Sequence, residues 1–261
     1  FTVFNNILNI LRRPVTSRVT RWTSRHISVM DKKHILLCAT GSVASVKIPQ
    51  LAIALSQQHE VRILLTKCAE HFVFKVSKSY DPKSWRQRWA NTLEAVAREC
   101  GSTDPVIRLD EHEWKYAKVG DPVLHIELRK WADVMVIAPA SANTIAKLAN
   151  GLSDNLITCV ARAWDRTNPF IVCPAMNTLM WQHPFTSQHL DVLRGIGYDI
   201  VDPVVKTLAC GDIGKGAMAS VDTIVASVDA ALATLAKSSH DPPALVNGVE
   251  EEEEEWWCVI M

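Results

Sequence analysis

The sequence has no net charge, no paired cysteine spacing and no apolar run of the roughly 20 residues that a membrane span requires. A neutral chain is poorly suited to holding nucleic acid through phosphate contacts, so we expect no nucleic-acid partner. The seven cysteines indicate a reducing compartment rather than a disulfide scaffold. Three of them (Cys38, Cys159 and Cys173) lie in apolar runs, where cysteine usually acts as a small core residue.

The amino-terminal segment, residues 1–30, lacks acidic residues altogether and contains five Arg. This composition is typical of a mitochondrial presequence. The alternative is that Met30 is the true start and the preceding residues are upstream sequence. We favour the second interpretation, because the first predicted strand begins four residues after Met30.

The carboxyl-terminal tail, residues 237–261, differs from the rest by a run of six Glu at 250–255. It ends in Cys258-Val259-Ile260-Met261, which fits a prenylation box. One lipid chain gives only marginal membrane binding, and the acidic run is repelled by anionic lipid. We therefore expect a mainly cytoplasmic protein, with membrane contact only if Cys258 is prenylated.

Short apolar runs alternate with helical patterns across residues 31–236. This alternation predicts a single α/β domain, with a parallel sheet wrapped by helices. The predicted strands are His34–Ala39, Val61–Leu65, Val134–Ala138, Phe170–Cys173 and Ile200–Val201. The predicted helices are a stretch ending near Gln57, residues 143–150 and 153–164 with Gly151 ending the first of these two, and Val221–Leu235.

Residues 76–105 interrupt this alternation. Basic residues, Trp85 and Trp89 are interleaved there with polar residues, around a predicted short helix, Ser84–Cys100. Basic segments with aromatic side chains can bind nucleic acid, but a solvated helix anchored by two Trp fits the composition better. We interpret residues 76–105 as a surface insertion.

Small and polar residues directly follow three of the predicted strands. Thr40-Gly41-Ser42-Val43 opens a helix, and its N–H groups and hydroxyls suit a phosphate. Ser141-Ala142-Asn143-Thr144 lies where ligands of open α/β sheets bind, although capping of the next helix by Ser141 or Asn143 explains this pattern equally well. Ala175-Met176-Asn177 lies at a third strand end.

A helix is predicted to begin at Asp121-Pro122, with Asp as its N-cap and Pro at its first position. Its apolar stripe comprises Leu124, Leu128 and Trp131, and His125 lies beside that stripe. A lone His in this position is more often structural than catalytic.

The segment 209–216 has three Gly among its last six positions. Such a sequence is too flexible for a helix or a strand, so it predicts a mobile loop that carries the thiol of Cys210. A cysteine on such a loop has little use in packing, which favours a chemical role.

Four stretches of the chain together resemble one family. They are "ATGSVASVK", "GDPVLHIELRKWADVMVIAPASANTIAKLANGLSDNLITCVARAWD", "PAMNTLMW" and "LACGDIGKGAMA". The chain resembles the phosphopantothenoylcysteine decarboxylases, which belong to the homo-oligomeric flavin-containing Cys decarboxylases, over about residues 33–76 and 106–235. The resemblance implies a Rossmann-like (flavodoxin-like) domain with helices on both faces of the sheet, and a homotrimer with FMN near the subunit interface and no metal. It also implies decarboxylation of 4'-phosphopantothenoylcysteine in coenzyme A biosynthesis.

The resemblance further implies roles for individual residues. Asn177 would hold the substrate's carboxylate, with Met176 and Ala209 as further substrate contacts. His125 would be the active-site histidine, and Cys210 the proton donor on a loop that closes over the substrate. The residues implied to line FMN are Gly41, Ser42, Val43, Thr66, Lys67, Ser141, Ala142, Asn143, Thr144 and Ala175.

The sequence departs from the family pattern outside these positions. The insertion is longer than the family usually carries, and Ser220 stands where Glu is common. Thr207 stands where a basic residue is common, although Lys206 is adjacent. The differences at Ser220 and Thr207 concern contacts to the substrate rather than the reaction.

Two other functions fit parts of the sequence. Some fungal relatives of this domain are regulatory subunits that inhibit a protein phosphatase, and they carry acidic tails comparable to residues 250–255. Because His125, Asn177 and Cys210 are all present on one chain, we favour the enzyme over a phosphatase partner. A decarboxylase of peptide carboxyl-terminal cysteines is the third alternative, and a comparison of the two substrates separates it from the first.

Overall fold

The computed structural model describes residues 32–77, 87, 90–92, 106–208 and 211–238. Residues 1–31, most of the insertion, and residues 239–261, which contain the acidic run and the prenylation box, therefore lie outside the described residues. Ala209 and Cys210 lie outside them as well. Within the described ranges, no helix is both long and apolar enough to cross a bilayer.

Six parallel strands form the central sheet. They are β1 (His34–Ala39), β2 (Glu60–Leu65), β3 (Ile107–Leu109), β4 (Val134–Ala140), β5 (Phe170–Pro174) and β6 (Asp199–Ile200). Their spatial order is β3-β2-β1-β4-β5-β6. This is the order of Rossmann sheets, in which the chain reverses direction across the sheet between β1 and β4. The predicted α/β fold is confirmed.

Helices cover both faces of this sheet. They are α1 (Ile48–Ser56), α2 (Lys67–Glu70), α3 (Leu124–Trp131), α4 (Ala142–Ala149), α5 (Leu156–Arg162), α6 (Thr178–Gln182), α7 (Pro184–Gly195) and α8 (Val221–Ser238). A 3-10 helix, Val43–Lys47, leads into α1, and a second, Asp110–Lys115, follows β3. A π-helical stretch, His71–Val76, continues α2.

Strand β1 supplies both cores of the domain, because successive side chains of a strand point to opposite faces. Ile35 and Leu37 pack in the core that includes residues of α1 and α8, whereas Leu36 and Cys38 pack in the core under α3, α4, α5 and α7. All four side chains are fully buried. Full burial of one such aliphatic side chain contributes about 1.5–3 kcal/mol to stability. Because β1 packs in both cores, it is the centre of the fold.

The predicted core cysteines are largely where the apolar runs suggested. Cys38 and Cys173 are buried in the sheet, and Cys159 in α5 is half-buried. Burial raises the pKa of the Cys38 thiol and raises that of Cys173 to about 12. These two thiols stay protonated and act as core side chains.

The prediction that Asp121 caps a helix is wrong. Helix α3 begins at Leu124, and its N-cap, Val123, has no capping side chain. The Asp121 carboxylate instead accepts hydrogen bonds from the backbone N–H groups of Ala117 and Lys118, each at 3.0 Å. These two hydrogen bonds close the turn before the helix. Because the carboxylate is used there, it does not cap α3, which starts later.

The prediction that residues 209–216 form only a loop is also wrong. Strands β7 (Val204–Thr207) and β8 (Ile213–Ala217) pair antiparallel as a two-stranded ribbon. Its glycines serve close packing rather than mobility. A Cβ at Gly214 would lie 2.5 Å from Thr178 Oγ1, and one at Gly216 would overlap the Met176 carbonyl oxygen.

Candidate active site

A cavity of about 410 Å³ opens at the carboxyl edge of the sheet, where the chain reverses direction between β1 and β4. The segments after β1, β4 and β5 line it, and the ribbon β7–β8 forms one wall. Open α/β sheets bind their ligands at this position. The volume lies within the range of about 300–1,000 Å³ typical of small-molecule sites.

Eight of the residues named from the sequence meet in this cavity. They are Gly41, Ser42, Val43, Ser141, Ala142, Ala175, Met176 and Asn177. They come from three separate strand ends, which parallel pairing brings to one edge. The rule that ligands lie beyond the carboxyl ends of parallel strands pointed to these segments, and the family resemblance assigned roles to their residues.

Thr40 ties the first two of these strand ends together. Its hydroxyl donates to the Pro139 carbonyl oxygen at 2.9 Å and accepts from the Ser141 N–H at 2.8 Å. The side chain is fully buried, so both bonds are shielded from water. The sequence offered no signal for this role beyond the position of Thr40 at the end of a strand.

The two serines of the cavity are also helix caps. Ser42 Oγ accepts from the Ala44 N–H at 3.4 Å, and Ser141 Oγ accepts from the Thr144 N–H at 3.3 Å. Capping and cavity lining are thus not alternatives for Ser141. The other two residues of this motif do not line the cavity: Asn143 is exposed and Thr144 is buried.

Thr66 and Lys67 lie at the carboxyl end of β2, beside the cavity rather than in its wall. Thr66 caps α2 by accepting from the Ala69 N–H at 3.2 Å, and the Lys67 N–H donates to Asp110 at 3.3 Å. Gly41 packs against this helix so closely that a Cβ there would lie 2.9 Å from the Cβ of Cys68. A glycine is therefore required at the first strand end.

Two lysines, Lys47 and Lys206, add positive charge to the cavity wall. Burial lowers the pKa of Lys47, and the positive charge of Lys206 lowers it further. Two cations held together in a partly buried wall are a favourable place for an anion, since an anion relieves their repulsion. Lys47 was missed as a site residue because a single Lys on a helix usually faces solvent.

Asn177 has both ends of its side-chain amide engaged. Its Oδ1 accepts from the Leu179 N–H at 2.8 Å, which caps α6, and its Nδ2 donates to Asp212 Oδ2 at 2.7 Å. Asp212 belongs to the turn between β7 and β8, so Asn177 connects the sheet edge to the ribbon. The same turn leads to Ala209 and Cys210, whose placement lies outside the described residues.

His125 does not line the cavity of its own chain. It lies at the start of α3, where its ring Nδ1 contacts the Glu113 carboxylate. Its backbone N–H donates to the same carboxylate at 3.1 Å. Its side chain is 25 % exposed. The carboxylate fixes the orientation of the ring and leaves Nε2 as the nitrogen that can reach another molecule.

The residues in the described ranges contain no group of three or more His, Cys, Asp and Glu side chains that could hold an ion. The polar groups that line the cavity are hydroxyls, an amide and ammonium groups. Such a set suits phosphate and carboxylate groups better than a cation.

Comparison with known proteins agrees with this geometry. The family model described as "Flavoprotein" matches residues 23–233. The phosphopantothenoylcysteine decarboxylase of Oryza sativa subsp. japonica is 43% identical over 219 residues, which cover 84% of this chain and 89% of the rice protein.

Two solved structures are similar as well. A PPC decarboxylase mutant complexed with pantothenoylaminoethenethiol superposes with a TM-score of 0.64 at 45% identity, over 76% of this chain and 97% of that one. The FMN binding protein AtHal3 gives a TM-score of 0.61 at 46% identity, over 76% and 96% of the two chains. The chain therefore belongs to the flavoprotein family, among the phosphopantothenoylcysteine decarboxylases.

Proposed function

We propose that this protein uses FMN to decarboxylate 4'-phosphopantothenoylcysteine to 4'-phosphopantetheine, a step of coenzyme A biosynthesis. The observation that carries the proposal is the cavity in which all four family motifs meet. A relative of 43% identity bears the name of this activity, and a similar structure is named for FMN binding.

The residues of the cavity fit FMN. Gly41, Ala142 and Ala175 leave room for close approach of a flat ring system, and the Ser42 and Ser141 hydroxyls lie at two helix starts, where an anionic phosphate is favoured. When bound, FMN supplies the reversible two-electron oxidation of the substrate's thiol end that allows CO2 to leave. The protein provides position, charge and protons.

Asn177 is proposed to receive the carboxylate that leaves as CO2. Its amide is oriented by the cap to Leu179, so Nδ2 is presented as a donor. Met176, which is buried beside it, shapes the apolar side of the same pocket. Cys210, with Ala209 before it, is proposed to donate the proton that completes the product.

Lys47 and Lys206 are proposed to bind the phosphate at the other end of the substrate. Both line the cavity, and Lys47 already experiences the charge of Lys206. Lys206 thereby takes over the basic contact that Thr207 does not provide. A dianionic phosphate bound between them favours the charged form of Lys47.

We also propose a homotrimer in which His125 acts in the cavity of a neighbouring subunit. His125 does not line its own cavity, yet its ring is held ready by Glu113. Trp114 and Val119, close to this pair in sequence, are 82% and 95% exposed. We propose that these side chains belong to the surface that contacts the neighbouring subunit.

Mixed trimers test this arrangement. Cells that produce equal amounts of His125→Asn and Asn177→Asp chains should yield trimers in which about one quarter of the sites combine both intact residues, since each site draws on two subunits. Either variant alone should be inactive. Mixed trimers without activity would place both residues in one subunit.

The reaction itself is tested with the full-length protein. Purified protein should be yellow, release FMN on denaturation, and convert phosphopantothenoylcysteine to CO2 and phosphopantetheine in equal amounts without an added oxidant. The control is Asn177→Asp, which should retain flavin but lose turnover. A protein that stays colourless with added FMN, or that binds FMN but releases no CO2, would contradict the proposal.

The location of the protein stays a prediction. The four cysteines within the described residues (Cys38, Cys68, Cys159 and Cys173) are free thiols, which agrees with a reducing compartment such as the cytoplasm.

Farnesylation of Cys258 is checked by mass spectrometry of the native carboxyl-terminal peptide. Fractionation of cells with and without Cys258→Ser then separates lipid-dependent from lipid-independent location. A phosphatase-binding role stays a prediction as well.

A further inference from the structure

The hydrogen bonds of Asn177 fix which part of its amide faces the ribbon. Because Oδ1 caps α6 through the Leu179 N–H, rotating the amide by half a turn would sacrifice that bond. The group presented toward the ribbon is therefore an N–H donor. Its partner is a carboxylate oxygen of Asp212, at a distance of 2.7 Å, which is short enough for a charge-assisted bond.

Asp212 is held in place by the ribbon. Its carbonyl oxygen accepts from the Leu208 N–H at 2.8 Å, which closes the turn between β7 and β8. Leu208 lines the cavity. The Asp212 side chain itself is exposed, so its carboxylate can move into water without a large desolvation change.

We infer that Asp212 is a positioning residue that occupies the place of the substrate's carboxylate on Asn177 until substrate arrives. This inference rests on the proposed function, in which Asn177 receives that carboxylate. Two carboxylates beside one amide nitrogen repel each other. Binding therefore becomes an exchange, in which the substrate's carboxylate accepts from Asn177 Nδ2 and Asp212 turns out to solvent.

The exchange gives the site a means to distinguish substrate from product. The product has lost its carboxylate as CO2, so it cannot compete with Asp212 for Asn177. Asp212 then recovers its hydrogen bond and the ribbon contact is restored. Asp212 therefore weakens the binding of the carboxylated ligand but has no direct effect on the decarboxylated one.

The test uses two ligands that cannot undergo thiol oxidation. The first is the serine analogue of the substrate, which keeps the carboxylate, and the second is its decarboxylated counterpart. Titration calorimetry on the full-length, FMN-loaded protein gives the Kd of each ligand. We expect Asp212→Ala to tighten binding of the carboxylated ligand by about tenfold, the scale of one hydrogen bond to a charged group. Binding of the decarboxylated ligand should stay within about twofold, because that ligand makes no such bond.

The matched control is Asp202→Ala. Asp202 contacts the same ribbon through Lys215, at 3.0 Å, and its loss changes the net charge equally. It has no bond to Asn177 among those described, so it should leave the ratio of the two Kd values unchanged. A ratio altered equally by both variants would reduce the effect to general electrostatics and overturn the inference.

A second variant guards against a ribbon that no longer packs. Asp212→Asn keeps the shape and a neutral acceptor, and should tighten binding of the carboxylated ligand to a smaller extent than Asp212→Ala. If both variants weaken the binding of both ligands equally, Asp212 only supports the ribbon. That result would overturn this inference but not the proposed function. Wild-type protein that binds neither ligand would overturn the proposed function as well.

Discussion

The sheet and the ribbon hold the same cavity in different ways. Five of the six residues of β1 are fully buried, whereas all four residues of β7 are exposed. The sheet side is fixed by two packed cores. The ribbon side depends on single contacts, among them the bond from the Met176 N–H to the Gly216 carbonyl oxygen at 3.0 Å and the bond between Asn177 and Asp212.

This difference predicts that changes in the sheet act on stability and changes in the ribbon act on turnover. A buried strand cannot shift without disturbing both cores, so it keeps its position until the domain unfolds. A ribbon held by a few bonds can move as a unit and still leave the domain folded. Four changes can break or sharpen this comparison.

The largest effect is expected in the sheet. Leu37→Ala should lower the free energy of unfolding by about 3 kcal/mol, since it removes a fully buried side chain and leaves a cavity. Ile35→Val should cost about 1 kcal/mol for the same reason. Urea denaturation measures both. The protein that stays folded and flavin-bound should keep most of its turnover. A loss of turnover without a change in the free energy of unfolding would break the comparison.

The next effect belongs to the ribbon. Gly216→Ala places a Cβ against the Met176 carbonyl oxygen and must displace β8. A displacement of about 1 Å in a catalytic wall can cost roughly 100-fold in rate, so we expect a loss of that order in kcat/KM. The midpoint of thermal unfolding should change little. Gly195→Ala is the control, because a Cβ there meets no atom within 4 Å.

A smaller and more selective effect is expected from Lys206. Lys206→Ala should reduce the preference for the phosphorylated substrate over pantothenoylcysteine by about tenfold, as loss of one charge-assisted bond does. Flavin content should stay the same. Comparing kcat/KM for the two substrates measures this preference, and an unchanged ratio would show that the phosphate binds elsewhere.

The smallest effect concerns pH. Lys47 must be protonated to hold a phosphate, and its pKa is lowered by burial and by Lys206. Affinity for the phosphorylated substrate should therefore fall as pH rises. The fall should occur at a lower pH than it would with a lysine of ordinary pKa. Lys206→Ala removes one of the two causes, so the fall should move to higher pH. A profile unaffected by this variant would argue against the pair.

The sequence predicted the sheet better than the ribbon for a physical reason. Apolar runs such as 134–138 and 170–173 report burial directly, and β4 and β5 extend them by only two residues and one. Strand β8 contains two glycines, which sequence rules assign to loops. Its strand pairs with β7 and packs closely on Met176 and Thr178, and no local pattern reports such contacts.

The site shows the same division. Residues directly beyond strand ends, such as Ser42, Ser141 and Asn177, were predictable because parallel strands end at one edge. Lys47 and Asp212 were not, since a helix turn and the ribbon bring them to the site. His125 was named from the family resemblance, yet its position outside the cavity of its own chain depends on how α3 packs, which its sequence does not report.

One measurement tests the central claim most directly: a crystal structure of the full-length protein with FMN and the serine analogue of the substrate. The account predicts that the flavin lies between the segments 41–43 and 141–142, and that the analogue's carboxylate accepts from Asn177 Nδ2 with Asp212 turned away. A second cavity of about 220 Å³ lies beside Arg162 and Tyr198. Flavin bound there, or a carboxylate that does not touch Asn177, would contradict the account.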